Sequence, residues 1–293
     1  EGSLYPRHPS PRCLCAGKGS VRNEPGVGKL PEPGQREFVS PDMTAALALL
    51  LFQSTAPEIQ TYTIDGVERR AMIVAPSKPS PKAPLILVFH GHGGNMRQAY
   101  RSFSAHDYWP EAVVVYPEGL PTKGKTDPEG KKNGWQQNVG DEGNRDLKFV
   151  DAILARMRRD HKIDDNRVYA MGHSNGGRFT YVLWAARGKE FAAYGPSGSP
   201  AVLMSRQFEP RSAFLIAGEQ DKLVAFQGQK MTANALKRLL ETDGSKARVD
   251  GYARYEPGKN GLELGTYFHP GGHEYPRVAG KLTVEFFKRH ARS

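Results

Sequence analysis

Residues 172–176 read Gly-His-Ser-Asn-Gly, a G-x-S-x-G pattern whose serine, Ser174, could act as a nucleophile. The apolar run 167–171 precedes this pattern, and an apolar helical stretch follows it. Strand, tight turn and helix in this order would hold the serine hydroxyl out on strained backbone, with the amide of Asn175 pointing at the same place. The two glycines suit a turn that passes too close to its neighbours for a Cβ.

A serine hydroxyl is a weak nucleophile, so a base and an orienting acid are needed beside it. The strand-like segment 213–217 is followed closely by Asp221, and the strand-like segment 264–268 runs through Pro-Gly-Gly into His273. The order serine, acid, histidine along the chain is one that known serine hydrolases use. We therefore predict Ser174 as nucleophile, His273 as base and Asp221 as the acid.

Donors for the developing oxyanion are predicted from two places. One is the amide of Asn175, directly after the serine. The other is the Gly-rich segment 90–95, which follows the strand-like run 84–89 and contains His92. The backbone amide of His92 is the candidate in that segment.

Each assignment has competitors. Glu219 lies close to Asp221, and His269 and His290 are alternatives to His273. The Gly-Gly pair before His273 favours it, because this pair places it on a loop free to face the serine. His90 and His92 are spaced like metal ligands, but no third ligand lies near them in the sequence, so we expect no metal site and no cofactor.

The elements that must position these residues alternate between strand and helix. This alternation predicts a mostly parallel central sheet with helices on both faces, and the absence of a large insertion after the serine predicts no separate lid domain. The predicted strands are 58–65, 68–75, 84–89, 112–116, 167–171, 191–197, 213–217 and 262–268; the predicted helices are near 95–103, 146–160, 177–185, 228–241 and 277–290.

One long segment, residues 117–145, shows almost no periodicity and is rich in Gly, Pro and Lys. Loops of this length in compact domains are usually functional or disordered. Trp135 within it could line an acyl or aryl pocket, or it could anchor the loop to the core. The sequence leaves both interpretations open.

Several of these segments together resemble a known family. The segments HGHGGN, GHSNGG, GEQD with a following Val224, GGHEYP and NGWQ are similar to those of polyhydroxybutyrate depolymerase-like esterases. That family includes feruloyl and acetylxylan esterases of the first carbohydrate-esterase family, and the resemblance covers about residues 58–293. It implies an α/β-hydrolase fold and a serine esterase. Tyr275 stands where the family pattern has Trp, so the resemblance implies a substrate contact there that differs from the family's.

The expected function is hydrolysis of carboxylic esters through an acyl-enzyme. Hydroxycinnamoyl or acetyl esters of plant polysaccharide, polyesters and short acyl esters are all candidate substrates. Hydrolysis of amides or thioesters is the first alternative, and a noncatalytic binding protein of the same fold is the second.

Composition excludes some partners. The chain has 293 residues, 38% hydrophobic and 25% charged, and a formal net charge of +10. Its basic residues are scattered rather than arranged in an aromatic-interleaved stripe, so we do not expect nucleic-acid binding. We expect a monomer.

The first 56 residues differ from the rest. Residues 1–42 are rich in Pro and Gly and contain both cysteines, which predicts a disordered extension or non-native upstream sequence. Residues 43–56 contain an unbroken apolar run too short to span a bilayer, which predicts a signal peptide, with a packed helix as the alternative. We accordingly expect a catalytic domain at 57–293 and a secreted or periplasmic bacterial protein.

Overall fold

The computed structural model describes residues 56–78 and 80–292. The predictions for residues 1–42 and 43–56 therefore lie outside the described residues, apart from Ala56. The strands are β1 Glu58–Ile64, β2 Val67–Val74, β3 Ala83–Phe89, β4 Val113–Pro117, β5 Leu120–Pro121, β6 Asn133–Gly134, β7 Ile163–His173, β8 Ala193–Ser197, β9 Ser212–Gly218, β10 Arg248–Asp250, β11 Ala253–Pro257 and β12 Glu263–His269.

Ten of these strands form one sheet in the order β1-β2-β4-β3-β7-β8-β9-β12-β11-β10. The six central strands, β4 to β12 in that order, are mutually parallel, and the outer pair at each end is antiparallel. The predicted mostly parallel sheet is confirmed. Because parallel strands end at one edge, the segments after β3, β7, β9 and β12 meet at the carboxyl edge of the sheet.

The helices are α1 Met96–Phe103, α2 Ala105–Tyr108, α3 Arg145–Asp160, α4 Asn175–Arg187, α5 Phe226–Leu239 and α6 Arg277–Lys288, with short 3-10 turns at Asp141–Asn144, Met204–Gln207, Gly244–Lys246 and Lys259–Gly261. Side chains of α3, α4 and α5 pack into one apolar core, and those of α1, α2 and α6 into a second. Alternate residues of β3 enter the two cores: Leu85 and Leu87 lie on one side, and Ile86 and Val88 on the other. The sheet is therefore covered on both faces, as predicted.

The predicted elements differ from the observed ones mainly at the edges. The two edge strands β10 and β11 were not predicted, because exposed edge residues such as those of β10 carry no apolar run. The segment 117–145 is also less irregular than expected, since β5 and β6 pair as a short antiparallel ribbon within it. Between α4 and Asp221 the described chain holds only β8, one 3-10 turn and β9, so no lid domain lies there.

Candidate active site

The turn between β7 and α4 carries Ser174 with a φ of 57° and a ψ of −120°. This backbone conformation is unfavourable for a residue with a Cβ, and the surrounding chain holds it in place. The Ser174 amide donates to the Ser197 carbonyl of β8 at 2.8 Å. A Cβ on Gly176 would collide with the carbonyl of Phe89 at the end of β3, so only glycine allows this close approach.

Ser174, His273 and Asp221 form one chain of hydrogen bonds. The Ser174 Oγ lies 2.8 Å from His273 Nε2, and His273 Nδ1 lies 2.7 Å from Asp221 Oδ2. The three residues follow β7, β12 and β9, which are neighbouring or near-neighbouring strands of the sheet. A neutral imidazole in this arrangement donates to the carboxylate through Nδ1 and accepts from the serine through Nε2.

The carboxylate of Asp221 is almost completely buried and satisfied by several donors. Its Oδ1 accepts from the amides of Leu223 and Val224 at 2.9 and 2.8 Å, and Gln229 Nε2 lies 3.3 Å from Oδ2. Burial by itself raises the pKa of Asp221, but the bonds from the Val224 amide and from His273 outweigh it, so the pKa lies below its usual value. The group is therefore a carboxylate at neutral pH.

The competing residues lie elsewhere. Glu219 is exposed, while its amide donates to the His269 carbonyl. His269 is buried at the end of β12, where its Nδ1 accepts from the Gly271 amide at 3.2 Å. His290 bonds to the Phe286 carbonyl beyond the end of α6. Among the described residues, His273 is the histidine within hydrogen-bonding distance of Ser174.

The predicted oxyanion donors, Asn175 and His92, lie against the same glycine. A Cβ on Gly134 would stand 2.7 Å from His92 Nδ1 and 2.9 Å from Asn175 Oδ1. Asn175 is the first residue of α4, and its amide belongs to the first turn, where no helical acceptor exists. The His92 amide bonds to no backbone carbonyl within the described part of the chain. Both amides are thus available to a ligand near Ser174.

Further hydrogen bonds hold the two segments that carry these amides. The Asn175 side chain holds the backbone of Trp135 at both ends, accepting from its amide at 2.7 Å and donating to its carbonyl at 3.0 Å. The Trp135 ring donates to the His90 carbonyl at 2.9 Å. His90 in turn accepts from the Gly119 amide at 2.9 Å, and burial lowers its pKa to about 4. The Gly-rich segment 90–95 is therefore anchored to residues 117–145 by hydrogen bonds between neutral groups.

His92 is also held by its side chain. Its Nε2 lies 3.1 Å from Asp127 Oδ2, and the same carboxylate oxygen accepts from the Lys132 amide at 2.8 Å. Asp127 was not predicted, because nothing in the Gly/Pro/Lys-rich segment distinguishes it in the sequence. The loop therefore contributes a carboxylate that fixes the ring of a predicted oxyanion residue.

Two cavities, each of about 410–420 Å³, meet at Ser174. His92, Thr126, Ser174 and Leu223 line both. Lobe A is completed by residues that include Lys125, Gln137, Arg178, Pro200, Val224 and Ala225. Lobe B is completed by residues that include Gln98, Ser102, Phe103, His273, Glu274 and Tyr275. A cleft of this size with a few polar groups is typical of a small-molecule site.

The two predicted substrate contacts have different positions. Tyr275 lines lobe B, with its ring 4.2 Å from that of Phe103. Trp135 is completely buried, stacks on Phe179 at 5.3 Å and lines neither lobe. Of the two interpretations that the sequence left open, the geometry favours an anchor for Trp135.

Sequence reasoning missed Arg178, which lines lobe A. It is four residues after Ser174 on α4, and residues four apart share a helix face, so the helical spacing could have identified it. His173, beside the nucleophile, packs within the turn: its Nδ1 bonds to Ser197 Oγ at 3.0 Å and its ring lies 4.9 Å from that of His273. Burial and the nearby His273 lower the pKa of His173 to about 3.

Two further features of the described residues bear on function. Their His, Cys, Asp and Glu side chains form no group of three or more placed to hold a metal ion. Within the same ranges, every helix is too short or too polar to cross a membrane.

Curated proteins similar to this chain are esterases by name. The bifunctional acetylxylan esterase/xylanase XynS20E of Neocallimastix patriciarum is 30% identical over 170 residues, which are 55% of this chain and 23% of that protein. A probable feruloyl esterase C of Aspergillus flavus is 28% identical over 187 residues, 60% of this chain and 64% of that protein. The chain thus spans less than two thirds of either relative. Both source organisms are fungi, which gives no support to the expected bacterial origin.

Solved structures agree with the fold. An acetyl xylan esterase from Aspergillus awamori matches with a TM-score of 0.61 and 15% identity, over 79% of this chain and 99% of that one. A CE1 ferulic acid esterase from Anaeromyces mucronatus matches with a TM-score of 0.52 and 14% identity, over 78% of this chain and 89% of that one. No protein-family model matches the chain. The chain therefore has the predicted α/β-hydrolase fold, and the resemblance of its sequence to feruloyl and acetylxylan esterases is confirmed.

Proposed function

We propose that the protein is a serine carboxylic-ester hydrolase. The observation that carries this proposal is the bonded chain Asp221–His273–Ser174, with the serine on a strained turn where two cavity lobes meet. Similarity to feruloyl and acetylxylan esterases supports the same reaction class. A noncatalytic binding protein would have no need of a strained serine bonded to a histidine.

In the proposed reaction, His273 Nε2 takes the proton of Ser174 as the serine oxygen attacks the ester carbonyl carbon. The carbonyl oxygen becomes an oxyanion, which the amides of His92 and Asn175 stabilise. The tetrahedral intermediate then expels the alkoxide, which takes the proton from His273 and leaves an acyl-enzyme on Ser174. A water molecule repeats both steps, releasing the acid and restoring the serine. Asp221 keeps Nδ1 protonated and stabilises the imidazolium.

The position of His273 supports an assignment of the two lobes to the two halves of the ester. Since its Nε2 must protonate the leaving alcohol, the alcohol lies on the side that His273 lines, which is lobe B. The acyl group then occupies lobe A, one wall of which is formed by Pro200, Val224 and Ala225. Polar and aromatic side chains together in lobe B suit a sugar alcohol better than an aliphatic one.

We therefore propose esters of plant polysaccharide, with hydroxycinnamoyl or acetyl groups, as the substrate class. Polyesters and other short acyl esters are the alternative, because lobe A accepts an acyl group of any of these kinds by size. Export of the protein is proposed as well, on the basis of the apolar run in residues 43–56.

Replacement of Ser174 tests the proposal. Ser174→Ala should lower kcat on p-nitrophenyl acetate by about 10⁶, the loss seen when a triad nucleophile is removed in a comparable hydrolase. A fluorophosphonate probe should label the wild-type protein at Ser174 and leave the variant unlabelled. Turnover that persists in Ser174→Ala, with a circular dichroism spectrum like that of the wild type, would exclude this serine as the nucleophile.

The bond that is cleaved needs a separate comparison. Matched acetyl compounds, with an ester, an amide and a thioester linkage, should show the highest kcat/KM for the ester. Among esters, methyl ferulate and acetylated xylan should exceed a polyhydroxybutyrate film in initial rate. If the amide or thioester ranks first, the reaction class has to be revised.

A further inference from the structure

The wall of lobe A carries positive charge without negative charge. Arg178 and Lys125 line it, and none of the Asp and Glu residues in the described ranges does. Lobe B differs, because Glu274 is part of its lining. The two sides of the nucleophile therefore offer different electrostatic environments to the two halves of a substrate.

Arg178 is fixed in place by neutral acceptors. Its Nε donates to the Gln137 carbonyl at 2.7 Å, one terminal nitrogen donates to the Pro200 carbonyl at 2.9 Å, and the other to Asn138 Oδ1 at 2.8 Å. A guanidinium has five N–H groups in a fixed planar fork. Three of them hold these partners, so two are left to face other groups.

The positive charge of Arg178 has no carboxylate in contact with it among the described residues. Burial lowers the pKa of the guanidinium, and the nearby Tyr181 and Asp141 offset this only in part. The Asp141 carboxylate itself accepts from the amide and the side chain of Asn138, at 2.9 and 3.1 Å. A partly buried cation without an ion-pair partner is unfavourable, and an anionic group entering the cavity would relieve this.

Arg178 also lies at a useful distance from the nucleophile. Its amide donates to the Ser174 carbonyl at 2.9 Å, which places it about one helical turn, or about 6 Å, further along α4. Residues four apart lie on the same helix face, so the long side chain projects beside the serine into lobe A. It can therefore meet the far end of an acyl chain while the carbonyl is held at Ser174.

We propose that lobe A, besides the neutral acyl groups proposed above, accepts acyl groups that carry a carboxylate at the end distal to the ester and prefers them to neutral groups of the same shape, with Arg178 as the specificity-determining residue and Lys125 as a second, exposed cation. The half-esters of dicarboxylic acids and related acid-bearing acyl esters are therefore a further substrate class. This inference rests on the proposed ester hydrolysis and on the assignment of the acyl group to lobe A.

The test compares matched pairs of esters on the full chain. One series is the monomethyl esters of straight-chain dicarboxylic acids from succinate to suberate. The second series carries an isopropyl group in place of each free carboxylate, which keeps the shape and removes the charge. Methanol release gives kcat/KM for both members of each pair. At one chain length or more, the carboxylate member should be favoured by about 10-fold, as for a charge-assisted hydrogen bond.

Variants of Arg178 and Lys125 distinguish recognition of the substrate carboxylate from anchoring of the loop. In Arg178→Gln the preference should disappear or reverse, whereas Arg178→Lys should keep part of it because the charge remains. Lys125→Gln, a change on an exposed loop, should lower the preference about 2-fold without changing the melting temperature. The preference of the wild type should also fall as ionic strength rises.

Three outcomes would overturn the inference. The wild type could prefer the isopropyl member at every chain length, or hydrolyse neither series while it hydrolyses p-nitrophenyl acetate. Alternatively, Arg178→Gln could lower kcat/KM for both members equally, together with the melting temperature, which would make Arg178 an anchor alone. Failure of the proposed function looks different, because then neither p-nitrophenyl acetate nor the fluorophosphonate probe would react at Ser174.

Discussion

At the scale of single residues, the site combines a strained backbone at the serine with two neighbouring histidines that are uncharged. The positive φ of Ser174 costs on the order of 1–3 kcal/mol, a cost that the Ser197 bond and the close approach of Gly176 to β3 sustain. Around it, the buried ring of His90 and the half-buried ring of His173 are uncharged at neutral pH, because desolvation lowers the pKa of both. The field at the nucleophile is then set by Asp221 and by backbone amides rather than by extra imidazolium charge.

Because these two rings are uncharged in the folded protein, the free energy of unfolding should depend on pH. Burial lowers the pKa of His90 to about 4 and that of His173 to about 3, whereas a histidine in an unfolded chain titrates near 6.5. Below pH ~6.5 the unfolded chain takes up two protons that the folded chain does not. The free energy of unfolding should therefore fall as pH drops from about 6.5 to 4, with these two groups adding up to about 2.7 kcal/mol per pH unit to the slope.

Urea unfolding at pH 7, 6 and 5 measures that slope, and His173→Gln isolates one contributor. Glutamine is neutral at every pH, so the variant should lose up to about 1.4 kcal/mol per pH unit of slope, whatever its stability at pH 7. Carboxylates add to the slope in both proteins and cancel in the comparison. Equal slopes for the wild type and His173→Gln would show that His173 is charged in the folded state.

Which of these residues the sequence could predict depends on what fixes their position. Ser174, Asp221, His273 and Asn175 follow strand ends, and strand ends can be read from apolar runs. Asp127 and Arg178 act through contacts between distant segments, so their roles follow only once the loop and α4 are placed in space. For Arg178, the spacing of four residues from Ser174 on a helix is a signal that the sequence does contain.

At the scale of elements, the segment 117–145 is the one that the sequence described least well. It has no periodicity because hydrogen bonds to residues 90–95, Asp146 and Arg178 fix it rather than a repeating apolar face, although Trp135 packs into the core. Gly93 donates to the Asn133 carbonyl at 2.7 Å, and Asp127 contacts His92 at 3.1 Å. The edge strands β10 and β11 were missed for a related reason, since β10 is exposed and is defined by its pairing with β11, while β11 carries Arg254 and Glu256 among its apolar residues.

Trp135 provides a test of what this loop does. Trp135→Ala removes a fully buried ring and its bond to the His90 carbonyl, which should cost about 3–5 kcal/mol of stability. Because the anchored segment carries the His92 amide, kcat/KM should fall by a similar factor for methyl ferulate and for p-nitrophenyl acetate.

Trp135→Phe is the matched control. It keeps an aromatic ring against Phe179 and leaves the His90 carbonyl without its donor, so the expected stability loss is smaller, about 1–3 kcal/mol. The melting temperature should be highest for the wild type, lower for Trp135→Phe and lowest for Trp135→Ala. If Trp135→Ala instead lowers kcat/KM for methyl ferulate alone, the ring contacts the acyl group.

At the scale of the whole molecule, the alternation of strands and helices was enough to predict the fold. A parallel sheet with short connections has one carboxyl edge, and that edge receives Ser174, Asp221 and His273 from different parts of the chain. The division of the cleft into two lobes could not be predicted, because it arises where the segment 117–145, the segment after β9 and the segment between β12 and α6 meet.

The same organisation predicts that residues 1–55 are not needed for catalysis. β1 pairs with β2 along its whole length from Glu58, and the described core and site residues lie between β1 and α6. A chain that starts at Ala56 should therefore be soluble, unfold cooperatively and keep kcat/KM on p-nitrophenyl acetate within about 2-fold of the full chain. Size-exclusion chromatography and thermal unfolding of both chains provide the comparison. If the shorter chain aggregates or loses activity, the apolar run 45–52 acts as part of the folded domain, and the proposal of a signal segment has to be abandoned.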